Sequence, residues 1–239
     1  MCVVRYFFVS AAAVMVAQTN ATDFIQDSKA VVSSRTLYFN NNNRETDGQD
    51  QRQTAQGFKV DFSSGYTSGI VGFGLDIQAI AGFNIDGGID HPTQATSNSM
   101  TPVDSDGTPV SSWSRGGGNL KAKVSESELV VGNALSSTLP ILVINDGRLF
   151  PQTFGGAMLT VKEIPGLTLA AGKLTQTASR ASSNYSGLAV AGGGGAKGSN
   201  DLQYRGGDWR PRNDLLLQYY HATLKDYYDQ DFLWLSKNF

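Results

Sequence analysis

Soft metal ligands are scarce in this chain, which has one cysteine, Cys2, and two histidines, His91 and His221. A lone thiol excludes a disulfide scaffold and a thiolate metal site. Neither histidine has a cysteine or acidic cluster at ligand spacing, so no metal and no cofactor is expected. Charge is low at 17% of residues, and the formal net charge of −2 comes without any block of like sign. That excludes the electrostatic footprint of a nucleic-acid binder. No Gly-x-Ser-x-Gly elbow is present, and Gly192-Gly193-Gly194-Gly195 is not followed by Gly-Lys-Ser/Thr. A serine hydrolase therefore lacks its parts and a phosphate-cradling loop its lysine, so no enzyme is expected. Past residue 21 there is no apolar run of the roughly 20 residues that a spanning helix needs.

The N-terminus reads as a processing segment. Arg5 supplies a positive start, Tyr6 to Ala17 an apolar stretch, and Thr19-Asn20-Ala21 a cleavage site ending in a small residue. Residues 1–21 are expected to be a signal peptide cut after Ala21, which would remove Cys2. An exported chain without a spanning helix is either soluble or a β-barrel, the other structure that satisfies every backbone group in lipid.

Period-two alternation favours the barrel. Phe58, Val60 and Phe62 share one face of a strand, Lys59 and Asp61 the other. Val71 to Gln78 and Leu120 to Val124 repeat the pattern. Candidate strands fall at 30–39, 54–62, 70–85, 117–124, 128–132, 157–163, 167–173, 201–209, 214–224 and 231–239. Long polar connections alternate with short ones such as Ser125-Glu126-Ser127 and Ile164-Pro165-Gly166. Outer-membrane barrels have this asymmetry, with short periplasmic turns and long extracellular loops. The fold class is thus all-β, a transmembrane antiparallel barrel occupying residues 22–239. Tyr66, Tyr219, Tyr220, Tyr227, Tyr228, Trp209 and Trp234 sit near strand ends, where interfacial aromatic girdles belong.

Several segments resemble the OprD family of substrate-specific outer-membrane porins. They run from Phe24-Ile25-Gln26-Asp27-Ser28-Lys29-Ala30, through Ala55-Gln56-Gly57-Phe58 and Val71 to Asp76, to Gly206-Gly207-Asp208-Trp209-Arg210. Asn145-Asp146-Gly147-Arg148-Leu149-Phe150-Pro151-Gln152-Thr153-Phe154 is the most specific of them. The resemblance implies an eighteen-stranded barrel, of which about ten strands are present, so that 22–239 is a partial barrel. It implies a Gram-negative outer-membrane location, outer-membrane lipid as surroundings, and passive, partly selective passage of small hydrophilic solutes such as amino acids or small carboxylates. Where the family often has Arg after Gln-Thr-Phe, this chain has Gly155.

Placement by parity and by that motif gives candidate pore residues. Asp146 and Arg148 are expected at a constriction, since a guanidinium fork matches a passing carboxylate. Asn145-Asp146-Gly147 can equally be a tight turn, with Arg148 a partner of the wall. Lys121 and Lys123 are expected on the lumenal wall, with Lys59 and Asp61 as an inward pair of opposite sign that reads as a wall salt bridge rather than a binding site. Lys173 has the parity of Leu167 and Leu169 but stands at a strand end. No catalytic residue is expected. A homo-oligomer remains open, as does a small closed barrel serving as adhesin or anchor, and, further off, an outer-membrane hydrolase.

Overall fold

The computed structural model describes residues 7–15, 23–41, 51–87, 100–105, 108–190 and 198–238. Cys2, the cleavage site at Ala21, His91, the four-glycine run and Phe239 lie outside them. The strands are β1 (Phe7–Met15), β2 (Lys29–Asn41), β3 (Gln51–Ser63), β4 (Gly72–Asp86), β5 (Ser112–Val124) and β6 (Ser127–Leu135). The short pair β7 (Thr138–Leu139) and β8 (Leu142–Val143) follows, then β9 (Thr153–Ile164), β10 (Leu167–Ala178), β11 (Leu202–Arg212), β12 (Leu215–Leu224) and β13 (Tyr228–Lys237). One four-residue helix, α1 (Asp23–Gln26), precedes β2.

Eleven strands make one antiparallel sheet in the order β1-β2-β3-β4-β5-β6-β9-β10-β11-β12-β13, and β7 and β8 pair only with each other. Within this sheet each strand lies beside the sheet strands before and after it in the chain, and the sheet is open, with β1 and β13 as edges. The ten candidate strands correspond to β2–β6 and β9–β13. The eleventh, β1, comes from the segment expected to be the signal peptide. It pairs along nine positions with β2, from Phe7 opposite Tyr38 to Met15 opposite Ala30. An uncovered edge offers a row of backbone donors and acceptors to any apolar segment within reach.

The two faces differ as a membrane wall requires. Phe58 and Val60 on β3, Phe73, Ile77 and Phe83 on β4, and Leu120 on β5 share one parity and stay exposed, Leu120 at 70%. Leu129, Leu159, Leu169 and Leu233 continue this outward row. A soluble protein would bury such residues; in a bilayer they face lipid. The opposite face receives the long connections, and both clusters of buried apolar residues lie there. One joins Leu37, Phe39, Ala55, Ile80 and Trp113 to loop residues Met100, Leu149 and Phe150. The other joins Ala170, Leu174, Tyr204, Tyr220 and Leu224 to Leu135, Ile141 and Leu188.

Turns close the other end of the hairpins. Ser125 at φ 53° and Gly166 at φ 78° take the left-handed region that such tight reversals need. At Gly166 a side chain would also meet the Arg210 carbonyl at 2.5 Å. The regular alternation of loop lengths fails at the last hairpin, where residues 225–227 alone join β12 to β13 at the long-loop end.

Candidate functional site

The connection between β6 and β9, residues 136–152, folds over the inner face. Asn145 opens a tight turn by accepting the Gly147 N–H at 3.1 Å. Past the turn, the Gln152 N–H reaches back to the Asn145 carbonyl at 2.9 Å. This geometry presents Asp146 to β2. The Arg35 guanidinium meets it with both nitrogens, Nη1 to Oδ1 at 2.9 Å and Nη2 to Oδ2 at 3.2 Å. Arg35 Nη1 also donates to the Arg148 carbonyl at 2.6 Å. Paired forks of this kind fix orientation as well as distance. Nothing in the sequence singled out Arg35; its inward parity, shared with Ser33 and Leu37, was the available signal.

The loop tip is seated by packing. Leu149 and Phe150 lie on Gly57 of β3, where a Cβ would stand 2.8 Å from either side chain. Trp113 meets Phe150 edge-on at 5.9 Å between ring centroids. From β5, Arg115 donates to the carbonyls of Ser179 and Ser182 at 2.7 and 2.8 Å and to Pro151 at 3.2 Å, tying the next long connection to this one.

Of the two readings of Arg148, its surroundings match a partner of the wall rather than an open charge at the constriction. It is buried at 6% exposure, its guanidinium carbon 4.6 Å from the Phe39 ring centroid, and it donates to the Gly147 carbonyl at 3.0 Å. A cation stacked under the loop fastens it to β2 and offers no charge to a passing solute; Asp146, 47% exposed, keeps its edge open.

Lys121 is likewise buried, at 8% exposure. It pairs with Asp76 at 2.7 Å, donates to Ser63 Oγ and the Ser64 carbonyl, and lies 5.2 Å from the Tyr66 ring centroid. Tyr66 in turn donates to Glu128. Burial and that carboxylate push the Tyr66 phenol pKa well up. Lys121 therefore knits the β3–β4 connection to the wall and is not an open anion attractor. Lys123, one step nearer the turn, stands 4.0 Å from Glu126 at the rim. Lys59 and Asp61 do pair, at 2.6 Å, and Gln78 donates to Asp61 at 2.9 Å. Beneath the loop a cavity of about 750 Å³ opens between Lys29, Lys59, Asp61, Asp76, Glu128 and Asp146.

The aromatic girdle needs correction too. Trp209 and Tyr219 are outward and half exposed, but Tyr220, of opposite parity, is buried on the inner face and donates to Asp208 at 2.8 Å. Tyr66 also belongs to the inner cluster just described.

An antiparallel sheet with an apolar outer face, a charged inner face and a loop clamped across it defines a porin wall of the outer membrane. Residues 22–239 match the family described as outer membrane porin, OprD family, and the chain belongs to that family. It is 34% identical over 215 residues to the porin-like protein GalP of Pseudomonas putida, covering 89% of this chain and 51% of the relative. The crystal structure of Pseudomonas aeruginosa OccK9 (OpdG) superposes with a TM-score of 0.83 at 37% identity, over 90% of this chain and 55% of that one. That of Pseudomonas aeruginosa OpdK with vanillate superposes with a TM-score of 0.78 at 34% identity, over 89% and 53%. The chain spans about half the length of these relatives.

Proposed function

We propose that this protein forms the wall and constriction of a porin for passive, partly selective uptake of small hydrophilic solutes, amino acids or small carboxylates. The observation that carries this is the loop held across the inner face by the Arg35–Asp146 fork, above a cavity lined by both signs of charge. Mixed charge suits solutes that carry a carboxylate, alone or with an ammonium group. Vanillate, named with one structural relative, is such a carboxylate. In this reading Arg35, Asp146, Lys59 and Asp61 face the solute, while Arg148 and Lys121 hold the frame. Residues 1–21 act as the export signal, and their removal frees the β2 edge for pairing within the mature barrel. N-terminal sequencing of outer-membrane material should then begin at Thr22.

The test is swelling of liposomes that contain this chain within a barrel completed to the length of its relatives. Small amino acids and carboxylates should enter faster than neutral sugars of equal size, and Lys59→Ala should narrow the difference. Equal rates for all solutes would sink the selective reading; no swelling at all would sink the pore.

A further inference from the structure

The outward face of β10–β13 changes character abruptly. Across these strands Leu169, Gly207, Tyr219 and Leu233 stand in one cross-strand row, with Trp209 and Leu235 one step nearer the short turns. One step the other way the row is Ala171, Arg205, His221 and Asp231. Leu169, Trp209, Leu233 and Leu235 are exposed apolar residues. Arg205 therefore sits on the first polar row beyond the apolar band, at the long-loop end.

The charges around it are already matched. Asp231 receives the Tyr219 hydroxyl at 2.9 Å and stands 3.0 Å from His221 Nδ1. Asp229 receives the Thr223 hydroxyl at 2.6 Å, and Asp201 pairs with Lys173 at 3.2 Å. Lys173 is thus outward, paired at the membrane rim. Arg205 alone in this group has no hydrogen-bond or ion-pair partner among the described residues, and it is exposed beside a groove of about 520 Å³ that it forms with Ala171, Gln203, His221 and Thr223.

We propose that this groove binds a phosphorylated lipid of the outer leaflet, its phosphate on Arg205 and its acyl chains over Leu169, Tyr219 and Leu233. A guanidinium at the boundary between hydrocarbon and headgroups meets phosphate oxygens with two parallel donors, at the depth where the apolar row beneath it meets chains. A second copy docking through this same face fits less well, because the carboxylates beside Arg205, namely Asp231, Asp229 and Asp201, are held by His221, Thr223 and Lys173.

The test uses the protein in phosphatidylcholine nanodiscs with bisphosphorylated lipid A as a minor component, and native mass spectrometry to count lipid A retained through mild delipidation. Wild type should retain it, and Arg205→Gln should lose about tenfold in apparent affinity, the scale of one lost charge-assisted contact. Arg205→Lys, which keeps the charge but not the fork, should lose less, and it carries the test if the Gln variant fails to fold. Arg212→Gln, at the opposite end of β11, should match wild type. Unchanged retention by Arg205→Gln and Arg205→Lys would overturn the proposal, as would equal retention of dephosphorylated lipid A. So would displacement by inorganic phosphate at matched concentration, or protein dimers that weaken on Arg205→Gln while lipid retention does not.

Discussion

The inner face has two ends built on opposite rules. Near the short turns it is polar and partly open: Lys59, Asp61, Asp76 and Gln78 border the cavity, opposite an outer face of Phe58, Val60 and Ile77. Near the long loops the same strands turn apolar inward, with Ala55, Ile80 and Trp113 sealed under Leu149 and Phe150. On β5 the outer face there turns polar, with Ser112 and Ser114, while Phe83 of β4 stands opposite Ser112. What reverses is the company each end keeps, since a covered inner face is a protein core and an outer face beyond the hydrocarbon band meets water. Inward parity alone therefore does not make a residue part of the pore.

Substitutions at the two ends should separate. Phe150→Ala is expected to have the largest effect: removing a buried aromatic costs about 3–5 kcal/mol. It should release the loop from Gly57 and Trp113, seen as faster hydrogen exchange through 145–152 and a larger single-channel conductance. A conductance equal to wild type would separate the loop core from the constriction. Lys121→Ala comes next, because it leaves the partly buried Asp76 carboxylate without its cation and the Ser64 carbonyl without its donor, at a cost of up to about 3 kcal/mol. Urea unfolding should show that loss, with the reversal potential moving toward cations by less than in Arg35→Ala. Arg35→Ala should cost about 1–3 kcal/mol, the scale for a charge-assisted pair that is partly exposed. It bares the Asp146 carboxylate, so the reversal potential in a salt gradient should shift toward cations. Arg148→Ala should move that potential less than Arg35→Ala; the opposite order would return Arg148 to the eyelet. Smallest in stability is Lys59→Ala, expected to change selectivity with little effect on unfolding.

Legibility in the sequence followed the same division. Alternation at the turn end, as in Phe58 to Phe62, gave strands, faces and the Lys59–Asp61 pair directly. It failed for the first residues of β5, because Ser112, Ser114 and Gly116 point outward and Trp113 inward, the reverse of the lipid-band pattern. The β5 start was accordingly expected at 117 and lies at Ser112. The constriction motif located the loop, yet it could not say which of its charges would be buried. That depends on Phe39 and Arg35, more than a hundred residues earlier in the chain.

The Arg35–Asp146 fork joins residues 111 positions apart, in a sheet whose strands otherwise pair only with their neighbours in the chain. Strand pairing can therefore grow hairpin by hairpin at modest entropic cost, whereas this clasp waits until β2 and the segment before β9 share one wall. If this loop is the constriction, as proposed above, the narrowing is for that reason among the last features to form during assembly, and a nascent sheet would pass through a stage with its bore unobstructed.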